Sequence, residues 1–229
     1  MRAEPLPEKA LRVGDSLIIA DLHIGFEEAM LREGSYVPKL LGEVTSSLQR
    51  LLERERPKRL VIDGDLKHSF IPFRREMKEL REFLGEIEGY TDELILIRGN
   101  HDVGISWIKG MGVEVLDSLE VGGWKLVHGH RLEEGERFII GHEHPAVRLR
   151  DEVGASIKVP AFLKGENLIV LPAFSPWAYG NDVTREIVSP FLRMFDTSRM
   201  RVLVPVEGEL LDFGRLGELL NALRRLSAV

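Results

Sequence analysis

Three short apolar runs in the first hundred residues each end at a carboxylate or amide side chain, with helix-forming stretches between them. Ser16-Leu-Ile-Ile-Ala20 runs into Asp21, Arg59-Leu-Val-Ile-Asp63 into Gly64-Asp65, and Glu93-Leu-Ile-Leu-Ile97 into Arg98-Gly99-Asn100-His101. Between the first two, Leu40, Leu41, Val44, Leu48, Leu51 and Leu52 recur at helical spacing, with Pro38 near the start and Pro57 past the end. Met77, Leu80, Phe83, Leu84 and Ile87 do the same between the second and third. This β-α-β-α-β order predicts parallel strands joined by crossover helices. Ligands of such sheets sit beyond the carboxyl ends of the strands, so Asp21, Asp65 and Asn100 should converge there.

The second half changes character. Val113–Val115, Leu119–Val121, Trp124–His128, Arg137–Gly141 and Ala146–Arg150 read as short strands between glycines and polar turns. Leu168–Leu171, Arg201–Val204 and Gly208–Phe213 continue the pattern, and a closing helix is predicted over Leu216–Leu226. Parallel strands first and hairpin-like strands later predict an α/β chain with two sheets packed face to face and helices outside. There is no internal repeat, low-complexity tract or linker, so residues 1–229 read as one domain. Pro172 to Arg199, with Phe174, Trp177, Tyr179, Phe191 and Phe195, has no clear period. Such a stretch is either a functional loop or an irregular cover for a sheet edge.

Composition removes several alternatives. The absence of cysteine excludes disulfides, zinc–thiolate sites and thiol catalysis. No apolar run approaches the roughly 18 residues that span a bilayer, and charges interrupt the start before a signal-peptide core could form. The expected location is therefore the cytoplasm, without membrane partners. Gln49 is the only glutamine, and the asparagines are Asn100, Asn167, Asn181 and Asn221. With abundant Glu, Arg and Lys, this leans towards a thermophilic source. A net charge of −6 argues against a surface built for general electrostatic binding of nucleic acid.

The histidines are the chemically informative residues. All seven lie in five clusters: Asp21-Leu-His23, Gly64-Asp65-Leu-Lys-His68, Gly99-Asn100-His101-Asp102, His128-Gly-His130 and Gly141-His142-Glu-His144. Neutral imidazole is the commonest protein metal ligand, and carboxylates bridge or terminate hard cations. Asp-x-His and Gly-Asp are weak signals alone. In Gly141-His142-Glu-His144 the two imidazoles share a face and the glycine permits close backbone approach. A single histidine usually means a hydrogen-bonded, partly buried imidazole, but that reading does not account for five ordered clusters.

Taken in order from Asp21 to His144, the set resembles the calcineurin-like metallophosphoesterase superfamily. Gly64-Asp-Leu-Lys-His68 with Arg98-Gly-Asn-His-Asp102, and the run Leu171-Pro-Ala-Phe-Ser-Pro176, are similar to archaeal SbcD-related and PdeM-like phosphoesterases. The resemblance implies a four-layer αββα sandwich of two mixed β-sheets. It also implies two divalent metal ions, manganese first, with iron, zinc or nickel as alternatives. Asp21, His23 and His144 would bind one and Asn100, His128 and His142 the other, with Asp65 bridging. Nitrogen and oxygen donors without sulfur suit these metals, and a carboxylate can offer one oxygen to two cations. A cation pair about 3.5–4 Å apart clamps a phosphoryl group and lowers the pKa of a bridging water, which as hydroxide would attack phosphorus in line. His101 is then the residue that protonates the leaving group or stabilises charge on it. His68 replaces the aspartate that orients this histidine in phosphatase relatives, which argues against a phosphoprotein phosphatase. Asp102 either orients His101 or caps a helix.

The likeness favours a phosphodiesterase or nuclease acting on nucleic acid or nucleotides, as in DNA repair. A small-metabolite phosphatase or phosphodiesterase is the alternative, and a non-catalytic metal-binding scaffold ranks last because every motif stands. Only 85 residues follow His144, which leaves little room for a DNA-capping domain. His68, His130, Arg148 and Arg150 are the candidate substrate-binding residues. Lys67, Arg74, Arg75, Arg98 and Lys158 are weaker groove candidates, because surface ion pairing is the default for such residues. Trp177 and Tyr179 could stack bases if their loop lies over the site.

Overall fold

Successive side chains on a strand point to opposite faces, and in this protein each face has its own neighbour. The structure is a computed structural model and describes residues 1–150, 156–178 and 180–226. Its first sheet has six strands in sequence order: β1 (Ala3–Leu6), β2 (Ala10–Val13), β3 (Ser16–Ala20), β4 (Arg59–Asp63), β5 (Glu93–Ile97) and β6 (Val113–Leu116). Strands β3 to β6 are parallel, and β1 and β2 add an antiparallel edge. A short helix α1 (Phe26–Arg32) follows β3, and α2 (Leu41–Glu55) and α3 (Arg74–Ile87) are the crossovers. Leu17, Ile19, Leu60, Ile62 and Leu96 face Val44, Leu48 and Leu51 of α2 and Leu80, Phe83 and Leu84 of α3.

The alternate residues Ile18, Ala20, Val61, Ile95 and Ile97 face a second sheet. The remaining strands are β7 (Leu119–Val121), β8 (Trp124–Leu126), β9 (Phe138–Ile140), β10 (Pro145–Arg150), β11 (Ser156–Pro160), β12 (Phe162–Lys164), β13 (Leu168–Val170), β14 (Asn181–Asp182), β15 (Arg201–Val206) and β16 (Glu209–Arg215). The second sheet has the order β16-β15-β12-β13-β9-β8-β7, with β8, β9 and β13 parallel and the other pairs antiparallel. Trp124, Leu126, Ile139, Phe162 and Ile169 meet the first sheet. Phe138, Ile140, Leu163, Val170, Val202 and Val204 face outward onto Leu216 and Leu219 of α4 (Leu216–Leu226). This is the expected αββα order of two mixed sheets. Each fully buried Ile or Leu of these layers contributes about 1.5–3 kcal/mol. A small sheet, β11-β10-β14, flanks the second.

Several details differ from expectation. The β1–β2 hairpin and strands β11 and β12 carry no clear sequence signal, being short and interrupted by Pro5 and Pro160. The strands expected over Trp124–His128 and Arg137–Gly141 stop at Leu126 and Ile140. The Val127 N–H still bonds the Ile139 carbonyl at 3.1 Å and its side chain packs in the core, and His128 and His142 farther along turn into the site. Among its described residues, Pro172 to Arg199 is irregular apart from β14 and two 3-10 turns. Phe174 and Trp177 are buried in the first core, and the Phe174 N–H bonds the Ala20 carbonyl at 2.8 Å. This part of the segment covers the sheet where the site lies.

Candidate metal centre

Strand register brings the first three motifs to one level. Ala20 pairs with Asp63 and Asp63 with Ile97, so β3, β4 and β5 release their next residues side by side. The first two loops stay bonded beyond the sheet: Asp21 N to Gly64 O at 3.2 Å, His23 N to Asp65 O at 2.8 Å and Ile24 N to Leu66 O at 2.9 Å. The parallel strands β8 and β9 deliver His128 and His142 from the facing sheet. The His142 N–H donates to Asp21 Oδ2 at 3.1 Å and ties the two sheets together at this point.

The backbone here is strained. Among the described residues eight non-glycine positions have positive φ, and five of them are Asp21, His23, Asp65, His142 and His144, with φ between 45° and 60°. Such conformations cost roughly 1–3 kcal/mol each and persist where surrounding contacts over-determine them. Two glycines make the approach possible. A Cβ at Gly64 would stand 1.9 Å from His128 Nδ1, and one at Gly99 would stand 2.2 Å from Asp65 Oδ1.

Two overlapping donor groups result. Asp21, His23, Asp65 and His144 present ligand atoms that all lie within 4.8 Å of one another, and so do Asp65, His128 and His142. Asp65 belongs to both. Asp65 Oδ2 is 3.8 Å from His23 Nε2 and 3.3 Å from His128 Nε2, and His144 Nε2 is 3.2 Å from Asp21 Oδ1. Asn100 joins the second group, its Oδ1 being 3.2 Å from His128 Nε2. His128 Nδ1 donates to the Asp63 carbonyl at 3.1 Å, an outer contact of the kind that orients metal-binding imidazoles. His23, His68 and His101 form a third cluster of donor atoms.

Electrostatics favours cations at this point. Burial holds His23 down at about 3 and His142 at about 4, so both are neutral and free to ligate. Burial raises Asp21 and Asp65, but the neighbouring imidazoles outweigh it and hold both below the usual carboxylate range. Burial pushes Asp63 well above that range. Its two oxygens have no hydrogen-bond partner, and the nearby Gly141 N–H favours its charge only from outside bonding geometry. Burial also opposes charge on His128, yet Asp65, Asp21 and Asp63 raise it to about 10. Carboxylates that draw a proton onto a buried imidazole provide the negative field that divalent cations need, so donor set and field both fit metal ions.

His101 stands beside the donors, half-buried. Its N–H donates to Asp65 Oδ1 at 2.9 Å, its Nδ1 bonds the His68 carbonyl, and its ring lies edge-on to His23 at 5.1 Å. A cavity of about 200 Å³ opens here, bounded by His23, Phe26, His68, His101, His144 and Ala178. His130 lies beside the second group, with ring centroids 5.4 Å from His128 and 6.1 Å from His142.

Other candidates are not brought to the centre. Arg148 is on β10, which leads away from His144, and its Nε is 3.4 Å from Asp182 Oδ2. The Arg150 side chain and Tyr179 lie outside the described residues. Trp177 is 5% exposed with Phe26 stacked against it at 6.4 Å, so it is a core residue and no base platform. Lys67 is fully buried, Arg75 pairs with Glu28, Arg98 with Asp117, and Lys158 bonds the Gly180 carbonyl, so these residues line no open cationic groove. Asp102 contacts the Gly99 N–H at 2.9 Å and the Lys67 N–H at 3.4 Å, so it braces the backbone around His101 without touching its ring.

Glu143 was not singled out from sequence. It is buried, and its carboxylate accepts from Asn181 Nδ2 at 2.6 Å, Val188 N at 3.1 Å and Ser189 N at 2.5 Å. It thereby anchors the irregular segment to the His142–His144 turn. Its position between two histidines of one face was a signal that it points the other way.

A calcineurin-like phosphoesterase family model matches residues 16–198. Among curated proteins none matches. The crystal structure of the Pseudomonas putida nuclease MPE is similar with a TM-score of 0.67 at 21% identity, covering 92% of this chain and 94% of that one. A protein of unknown function from Aquifex aeolicus, AQ665, gives a TM-score of 0.38 at 22% identity over 56% of this chain and 77% of its own.

Proposed function

Because the chain belongs to the calcineurin-like phosphoesterase family, we propose that it is a binuclear metal-dependent phosphodiesterase acting on nucleic acid or nucleotides. The observation that carries this reading is the membership of Asp65 in both donor groups. Asp21, His23 and His144 would hold one ion, Asn100, His128 and His142 the other, and Asp65 both. A nitrogen and oxygen donor set suits manganese, and also iron, zinc or nickel. Such a pair of cations clamps phosphoryl oxygens and lowers the pKa of water.

The chain's own residues supply the rest. Asp63 directs His128 through its backbone carbonyl, and Asp65 receives the His101 N–H while serving both donor groups. With its Nδ1–H donating to the His68 carbonyl, His101 turns Nε2 to the substrate. As imidazolium it carries its second proton on Nε2 and would pass that proton to the departing ester oxygen. The fold shared with a nuclease favours a nucleotide diester over other metabolites. The paired Arg98 and Arg148 favour a short or single-stranded substrate held at the centre over a duplex gripped along its backbone.

The test is hydrolysis of bis-p-nitrophenyl phosphate and p-nitrophenyl phosphate by metal-stripped protein with manganese restored. Diester preference supports the proposal and leads to labelled single-stranded DNA. Monoester preference moves the reading to a metabolite phosphatase, and bound metal with no turnover of either means a narrow substrate or a scaffold.

A further inference from the structure

Lys67 lies between the loops that carry His68 and His101 and has no exposed surface. Its ammonium donates to three backbone carbonyls, those of Ser69 at 2.6 Å, Phe70 at 3.4 Å and His101. An ammonium has three N–H donors and no acceptor, so its capacity is fully used. Burial lowers its pKa, and Asp102 and Glu76 favour its charge from farther out. Packing alone does not account for a lysine here, since methionine would fill similar space without a charge to desolvate.

What the ammonium does is join two loops. The Lys67 loop is already fixed on its own side: His68 N bonds Ile24 O at 2.9 Å, and buried Glu76 accepts from His68 N at 3.1 Å and Ser69 N at 2.8 Å. The His101 backbone is held at its N–H by Asp65 and at its carbonyl by Lys67. Its ring Nδ1 bonds the carbonyl of His68, the residue after Lys67. The two loops thus hold one another reciprocally, ring to carbonyl in one direction and ammonium to carbonyl in the other.

We propose that Lys67 is a positioning residue for His101: by holding the His101 carbonyl it keeps Nδ1–H on the His68 carbonyl. Nε2 is then the ring nitrogen aimed at the substrate, and it carries the proton to be given when the ring is imidazolium. This rests on the role of His101 given above, but its structural half can be tested separately.

The experiment compares Lys67→Met and Lys67→Gln with His101→Ala and the Lys67→Met/His101→Ala double variant. The substrates are bis-p-nitrophenyl phosphate, with a good leaving group, and a thymidine dinucleotide, with a poor one. Misplacement of a reacting group by about 1 Å costs on the order of 100-fold. Lys67→Met should therefore lower kcat for the dinucleotide on the order of 100-fold, with a much smaller loss for the aryl diester and unchanged KM and metal content. It should add nothing in the His101→Ala background. Equal losses on both substrates, or additive ones, would overturn the proposal.

Nitrogen-15 NMR of the imidazoles supplies a readout independent of turnover. The His101 signal, identified by its loss in His101→Ala and followed in the neutral form of the ring, should report the Nδ1–H tautomer in the parent and a mixture in both Lys67 variants. An unchanged tautomer overturns the proposal. If His101→Ala shows no leaving-group dependence while the tautomer does shift, the error lies in the role of His101, and Lys67 still positions it. Should neither variant fold, the parent decides: slowly exchanging Lys67 ammonium protons coupled to the His101 carbonyl carbon support the clamp, and rapid exchange overturns it.

Discussion

His101 Nδ1 meets the backbone carbonyl of His68, not its imidazole. The two rings lie 5.6 Å apart and nearly parallel, and His68 Nδ1 has no hydrogen-bond partner. The contact that orients His101 is therefore indifferent to the residue type at position 68. His101→Ala should keep its metals and lose about 10²–10⁴-fold in kcat, whereas His68→Ala should lose far less. Metal content by emission spectroscopy and steady-state kinetics check both. A His68→Ala loss equal to that of His101→Ala would mean that the imidazole itself acts.

Among the described residues Asp65 alone belongs to both donor groups, and its Oδ1 also accepts a backbone N–H. Asp65→Asn keeps the volume but removes the charge that the two proposed cations would share. Both metal equivalents should weaken together, by more than the roughly 10–100-fold typical of an outer-shell loss. Calorimetric manganese titration checks this, and loss of a single equivalent would make Asp65 a terminal ligand.

Convergence of Asp21, Asp65 and Asn100 was legible because parallel strands present their carboxyl ends together, whatever fills the loops. The αββα layering was legible for a similar reason, since apolar residues at helical spacing separate the first strands. The arrival of His128 and His142 from the facing sheet was not, because it depends on how two sheets pack; only the resemblance supplied it. Lys67 and Trp177 were misread because charge and aromaticity suggest surface roles, while their burial is decided by tertiary packing. Arg148 shares a strand with the His144 turn, yet that strand carries it away to Asp182. The left-handed backbone at five candidate ligands has no signature in residue type, because long-range hydrogen bonds impose it.

The histidines give the metal-free protein a defined pH response. His128, raised to about 10 by carboxylates that outweigh burial, is protonated at neutral pH and must lose that proton to ligate. Manganese affinity should thus rise with pH up to about 10, and binding near pH 7 should release at least one proton, since His144, where burial is outweighed by Asp21, is raised as well. Calorimetry in two buffers of different ionisation enthalpy measures that release, and identical heats would mean that His128 is already neutral. The unfolded reference for histidine is about 6.5. His128, raised when folded, contributes stability that is complete below 6.5 and is lost as pH climbs towards 10. His23, His68 and His142, depressed by burial to about 3, 4 and 4, contribute stability that is complete above 6.5 and is lost as pH falls. The metal-free Tm should therefore peak near 6.5 and fall on both sides. Bound metal should flatten the alkaline side, because it replaces the proton on His128.

Gly99 separates loss of a donor from loss of geometry. A Cβ there would lie 2.2 Å from Asp65 Oδ1 and 2.4 Å from Asp65 N, and the backbone partner cannot rotate away. Gly99→Ala keeps every ligand of the set and should still impair both metal equivalents and turnover, because the shared carboxylate must shift. Gly85 provides the contrast: it lies in α3 with nothing within 4 Å of a built Cβ, so Gly85→Ala should raise stability by roughly 0.5–1 kcal/mol and leave metal binding alone. Metal stoichiometry and urea unfolding of the two variants check the pair. Normal metal uptake by Gly99→Ala would show that the site tolerates displacement of Asp65 and needs no tightly held shared carboxylate.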